Sequence, residues 1–191
     1  MKTRLLLITM LTLLLSGCLE MWTRIDTANA RITESNYTVE LPPGWVRHNF
    51  YRDGIALTQD GLGIQIMDVS VLPHDKVFPK TKRKASADLL PAELAEMVLA
   101  EHRADPIFAN LTVLETAPTR VSGQPGVRVK FSFKNSRGVA YQREVHAAAT
   151  QNGVALVGYQ AITRHYWERD YSSFKQFLST LRLLSPSTAK S

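Results

Sequence analysis

This sequence predicts an α+β fold: an antiparallel sheet with helices packed on it. Three observations point there. Apolar and polar residues alternate over several long stretches, as half-buried strands require. Glycine-containing turn signals join these stretches directly, which makes neighbouring strands antiparallel. Two stretches show helical spacing, one between two groups of strands and one near the end, so the helices cover the sheet instead of alternating with its strands.

In order, Tyr37, Val39 and Leu41 alternate with Thr38 and Glu40 and form a half-buried strand that Pro42-Pro43-Gly44 ends. Val46 to Tyr51 reads as a short strand, followed by the Asp53-Gly54 turn. Gly54 to Leu57 and Gly63 to Leu72 are two more, joined at Asp60-Gly61. In the longer one, Ile64, Ile66 and Asp68 share one face while Gln65, Met67 and Val69 share the other. Both faces are largely apolar, which predicts a central strand. Pro73 ends it. A helix is expected from Pro91 to Arg103. Pro91 suits the first helical position, Glu93 complements the dipole, and Leu90, Leu94, Met97 and Val98 make the inward stripe.

The C-terminal half reads as a meander. Leu111 to Arg120 is a strand and Ser122 to Gly126 a loop. Val127, Val129, Phe131 and Phe133 then alternate with Arg128, Lys130, Ser132 and Lys134, which predicts a charged outer face. Asn135 to Gly138 turns the chain back into Val139 to Ala149, and Asn152-Gly153 turns it again into Val154 to Ile162. Tyr171, Phe174, Phe177, Leu178 and Leu181 recur at helical spacing, with Asp170 as the expected N-cap. Arg182 to Leu184 is extended.

The stretch Tyr37-Thr38-Val39-Glu40-Leu41-Pro42-Pro43-Gly44-Trp45 resembles the opening of domains in the PsbP/Mog1 superfamily. The pattern from Tyr171 through Phe174 and Phe177 to Leu184 resembles their close. The resemblance spans residues 37–184 and implies an α-β-α sandwich. That family includes photosystem accessory subunits, a small-GTPase-binding nuclear import factor and many bacterial lipoproteins. The resemblance therefore implies an adaptor or assembly role, and its motifs are structural, so no functional residue is carried over.

At the N-terminus, Lys2 and Arg4 precede an apolar run from Leu5 to Leu15, broken only by Thr9 and Thr12, and small residues lead to Cys18. This is the make-up of a secretory signal peptide, and the run is too short to span a bilayer, which takes about 20 residues. The ending Leu15-Ser16-Gly17-Cys18 resembles the lipobox of bacterial lipoproteins. The resemblance implies cleavage before Cys18, a diacylglyceryl group on its thiol, and acylation of the new amino terminus. Two or three chains hold a protein firmly to a membrane. Leu19, where inner-membrane lipoproteins carry Asp, implies the periplasmic face of the bacterial outer membrane. The expected organisation is a signal peptide over 1–17, a lipid anchor and tether over 18–36, a single α+β domain over 37–184, and a polar tail over 185–191. Met21, Trp22 and Ile25 interrupt the polarity of the tether. Trp22 fits either the headgroup level of a membrane or a packing site on the domain.

Composition excludes some classes. Without residues 1–17 the chain keeps 174 residues, 21 basic and 17 acidic, for a net charge of +4. That is no nucleic-acid-binding excess, and the length suits one domain with a core that needs no disulfide. Cys18 is the single cysteine. No Gly-x-Ser-x-Gly or Walker loop is present, and Gly61-Leu62-Gly63 is too short for a dinucleotide fingerprint. None of His48, His74, His102, His146 and His165 forms a metal-ligand pair by spacing. His74 beside Asp75 reads as a solvated pair, and His102 with Asp105 as a helix C-terminal cap. The expectation is therefore a protein with no catalytic residue, cofactor or metal.

The basic segment Lys76, Lys80, Lys82, Arg83 and Lys84 is the candidate partner contact. It suits anionic headgroups or an acidic protein surface, against the plain reading of a solvated loop. His165-Tyr166-Trp167 is a second candidate patch, with core packing as its plain reading. Two readings of function follow. One is a membrane-anchored envelope module that binds a protein partner through the sheet's open edge or the basic loop. The other is a small-ligand carrier or enzyme with a pocket between sheet and helices.

Overall fold

The structure, a computed structural model, describes residues 20–184. Cys18, the expected signal peptide and the tail 185–191 lie outside the described residues. Eight antiparallel strands form the main sheet: β1 (Trp22–Arg24), β4 (Val46–His48), β5 (Ile55–Thr58), β6 (Gln65–Leu72), β10 (Gly153–Ile162), β9 (Ala140–Thr150), β8 (Gln124–Lys134) and β7 (Ala109–Val121), in that spatial order. A second sheet holds β2 (Arg31–Thr33), β3 (Tyr37–Glu40) and β11 (Arg182–Leu183), with β3 in the middle. Helices α1 (Pro91–Ala104) and α2 (Tyr166–Thr180) complete the fold.

The two faces of the main sheet carry separate cores, because side chains alternate across it. On one face α1 lays Leu94, Met97 and Val98 on Val127, Val129, Phe131, Phe133 and Val145. On the other, α2 and the small sheet bring Trp167, Phe174, Phe177, Tyr37 and Val39 onto Ile55, Leu57, Met67, Val69 and Tyr159. The predicted α+β fold with antiparallel hairpins and packed helices is the fold observed. β6 is central, with Gln65 through Ser70 buried apart from partly buried Ile66.

Four local expectations are corrected. The stretch read as a tether folds from its first described residues: it carries β1, which pairs with β4, and β2, which pairs with β3, and it buries Ile25. Each strand has three residues and one apolar side chain or fewer facing the core, too little to leave a period in the sequence. The loop at 122–126 tightens to a two-residue turn at Ser122-Gly123, with φ of 50° and 83°, the sign that type I′ hairpins require. Helix α2 begins one turn early at Tyr166, so Asp170 is not its N-cap. Asp170 sits inside the first turns, buried, accepting hydrogen bonds from Arg169 and from Gln65 Nε2 at 3.1 Å. Finally, the charged face of β8 is half covered. Lys130 Nζ lies 4.8 Å from the Trp167 ring centroid, and Arg128 pairs with Glu115 on β7.

Candidate partner-contact surface

The basic segment belongs to a folded loop, residues 73–90, laid against α1. Pro73 ends β6 and starts a turn in which the N–H groups of Lys76 and Val77 donate to its carbonyl, at 2.9 and 3.1 Å. Val77 and Phe78 then enter the core beneath α1. Lys82 takes a left-handed φ of 56°, and the backbone returns so that Phe78 and Arg83 bridge and Ala85 N–H donates to the His74 carbonyl at 2.8 Å. The loop is fastened to the helix by one carboxylate. Glu101 accepts the backbone N–H groups of Lys80 and Thr81 at 2.7 and 2.9 Å, and the Thr81 hydroxyl at 2.9 Å. Ends that meet and apolar side chains tucked beneath are the features of a compact surface loop.

This framework leaves Lys76, Lys80, Lys82, Arg83 and Lys84 exposed and close together in the chain. Lys80 Nζ pairs with Asp105 at 3.3 Å; the other four have no ion-pair partner among the described residues. His74 is no solvated partner of Asp75: its Nε2 meets the Thr150 carbonyl at 3.0 Å and ties the loop to the β9–β10 turn. His102 is not a cationic cap either. Its Nδ1 meets the Val98 carbonyl one turn back at 2.7 Å, and its ring packs edge-on against Phe108 and Phe131. Burial, and next the charge of Arg143, push it down to about 4, so it is neutral near pH 7. Trp167 of the second sequence patch is buried in the core under α2, and His165 holds the start of that helix at φ 74°.

Two buried polar sites had no motif to announce them. Asp68 of β6 and Arg143 of β9 reach across β10 and pair through two hydrogen bonds of 2.9 and 3.0 Å. Gly158 lies between them, and a Cβ there would stand 2.6 Å from Arg143 Nη2 and 2.7 Å from Asp68 Oδ1. Burial, and next the Asp68 carboxylate, push the Tyr51 hydroxyl up to about 12. On the α2 face, Glu144 meets His146 Nε2 at 2.7 Å and accepts the Tyr171 hydroxyl at 3.0 Å. Burial works against the Glu144 carboxylate, yet these two hydrogen bonds hold it below its ordinary value. The available signal was a charge on an otherwise apolar face of a central strand, as at Asp68 and Arg143.

Apart from these buried polar groups, both helix–sheet interfaces are packed with apolar side chains. A cleft of about 490 Å³ opens at the surface between the loop and the β4–β5 connection, lined by Asp53, Lys76, Lys80, Glu101, His102 and Asp105. Among the described residues no group of three or more His, Cys, Asp or Glu is placed to hold a metal. No described helix is long and apolar enough to cross a membrane.

No family model and no curated protein matches the sequence. Solved structures do match its fold. LpqN of Mycobacterium tuberculosis, described as involved in cell envelope biogenesis, aligns with a TM-score of 0.53 and 10% identity over 86% of this chain and 91% of that one. The Ran-binding protein Mog1p of Saccharomyces cerevisiae aligns with a TM-score of 0.52 and 10% identity over 87% and 96%. A protein of Bacteroides thetaiotaomicron aligns with a TM-score of 0.50 and 10% identity over 78% of this chain, which spans only 45% of that longer protein. At such identity the likeness concerns architecture alone. The sheet with one helix on one face, and a helix with a small sheet on the other, is the fold this chain shares with LpqN and Mog1p.

Proposed function

We propose that this chain is a lipid-anchored, non-catalytic interaction module of a bacterial cell envelope. In this reading the diacylglyceryl group on Cys18 holds it on the periplasmic face of the outer membrane. It recruits an envelope protein through the loop 73–90. The observation that carries the proposal is the way that loop is built. Glu101 and the buried pair Val77 and Phe78 fix its backbone, while Lys76, Lys80, Lys82, Arg83 and Lys84 project outward. A pre-ordered cationic surface loses little entropy on docking and steers an acidic partner toward it. The fold shared with LpqN, an envelope biogenesis protein, supports the same reading. So does the pairing of the buried ionisable groups with one another, which ties up Asp68, Arg143, Glu144 and His146 within the fold.

The test is chemical cross-linking in cells, purification of the full-length chain, and mass spectrometry of what accompanies it. A parallel strain carries Lys80, Lys82, Arg83 and Lys84 replaced by Ser or Gln. One envelope protein enriched with the wild type and lost with the substituted loop is the expected result. If capture is specific but unchanged by the substitution, the loop is not the contact. If nothing specific is captured, the adaptor reading falls, and the cleft beside Lys76 and His102 becomes the place to look for a small ligand.

A further inference from the structure

The N-terminal stretch is fastened to the domain from Glu20 onward. Asn49 donates its side-chain N–H to the Glu20 carbonyl at 2.8 Å and its backbone N–H to the Met21 carbonyl at 3.0 Å. β1 follows at once, with Trp22 opposite His48. Only Leu19 separates Glu20 from Cys18. Two residues of chain reach at most about 7 Å, whatever their conformation. The headgroup zone on each side of a bilayer is only about 6 Å thick. A lipid on Cys18 therefore brings the start of β1 against the membrane, with no slack to stand off.

The surface at that point is apolar and aromatic. Met21 is 51% exposed, Phe50 50% and Trp22 38%. Trp22 packs edge-on to His48 at 4.8 Å, and His48 meets Phe50 at 6.3 Å, so these three rings form one surface, and exposed Met21 immediately precedes Trp22 in the chain. Arg24 follows Trp22 at the next position on the same face of β1, and Arg52 follows Phe50. Both are exposed, and neither makes an ion pair among the described residues. Asp53, on the same connection as Phe50, lines a cleft with Lys76 and Lys80, so the basic loop borders this surface. Tryptophan with its neighbouring apolar groups favours the headgroup level, and flanking cations favour an anionic leaflet.

We infer that the patch of Met21, Trp22 and Phe50 is a membrane-contact surface that seats the domain directly on the bilayer carrying the Cys18 lipid. The inference rests on lipid attachment at Cys18. It replaces a domain on a flexible stalk by one held in a fixed orientation, with β1 at the membrane and the loop 73–90 beside it.

Trp22 provides the readout, because Trp45 and Trp167, the other two tryptophans, are each only 2% exposed. The full chain is produced in a bacterium, its N-terminal peptide is weighed for acyl groups, and the protein is placed in vesicles of phosphatidylethanolamine and phosphatidylglycerol. Half of the vesicles carry brominated acyl chains. The expected result is an acylated chain that loses part of its tryptophan emission in brominated vesicles. Trp22→Phe should remove that quenched component and leave the remaining emission insensitive to bromine. Met21→Ser with Phe50→Ser should reduce the quenching with acylation unchanged. An acylated chain with equal emission in both vesicles overturns the inference and leaves the patch to a protein or a second copy of the chain. Quenching that survives Trp22→Phe overturns it as well. A chain without acyl groups on Cys18 overturns the anchor, and this inference with it.

Discussion

Replacing Arg143 by methionine should cost this domain a large part of its stability. The guanidinium and the Asp68 carboxylate sit on β9 and β6 with β10 between them, and their side chains are 13% and 10% exposed. Two hydrogen bonds of 2.9 and 3.0 Å join them. Methionine fills much of the same volume but strands the carboxylate on the α1 face of the central sheet. Removing one partner of a buried pair costs about 3–5 kcal/mol. In a chain of this size each kcal/mol moves the melting midpoint by about 2–4 °C, so Tm should fall by roughly 6–20 °C. Removing both charges, with Asp68→Leu and Arg143→Met together, should recover most of the loss, because a buried pair replaced by apolar groups is often neutral. Thermal unfolding of the two single variants, the double variant and the wild type at pH 7, followed by circular dichroism, closes the cycle. Arg143→Met within about 1 kcal/mol of wild type would refute the reasoning, as would a double variant no more stable than the single one.

Other outcomes follow from the same geometry. Gly158→Val forces a Cβ into the 2.6 Å gap beside Arg143 Nη2; it should destabilise by about 3 kcal/mol or more, and by clearly less in the Arg143→Met background. Equal losses in the two backgrounds would separate the glycine from the ion pair. His102, held at about 4 by burial and by Arg143, refuses in the folded state a proton that the unfolded chain accepts below about 6.5. Stability should therefore fall as pH drops from about 6.5 to about 4, by up to about 3 kcal/mol, with no contribution from His102 above pH 7. His102→Gln should flatten that limb of the Tm–pH curve, and parallel curves would count against it. Phe131→Ala, at a fully buried ring beside His102, Phe108 and Phe133, should cost about 3–5 kcal/mol in guanidinium unfolding. Replacing Lys80, Lys82, Arg83 and Lys84 by Ser or Gln should cost less than about 1 kcal/mol, because all four are exposed and the one ion pair among them leaves the Lys80 side chain 50% exposed. A cooperative, near-native melt for that variant separates a lost contact from a lost fold.

Much of the architecture is written in local pattern. β3, β8 and α1 are legible because each turns its apolar residues toward the core at the period of its own backbone, and β6 and β10 because strands buried on both faces read as nearly continuous apolar runs. Pro91 and Pro73 mark boundaries that hold, since proline restricts the backbone whatever surrounds it. The order of residues leading to Cys18 is likewise a local pattern, read along the chain before folding. What the chain does with Trp22–Arg24 and Arg31–Thr33 is different: three residues carry no period, and only pairing with Val46–His48 and Tyr37–Glu40 makes them strands. Asp68 and Arg143 lie 75 positions apart and meet because β10 separates their strands by a single row. Glu144 and His146 are two apart on one face, yet they are buried only because α2 places Tyr171 over them. The five cations of the loop 73–90 are visible in composition, but their fixed presentation depends on Glu101, a turn of α1 about twenty residues on. Periodicity records which side of an element faces the core. Which distant elements share that core, and therefore which charges are paired, covered or left free, is settled only when the strands pair and the helices close over them.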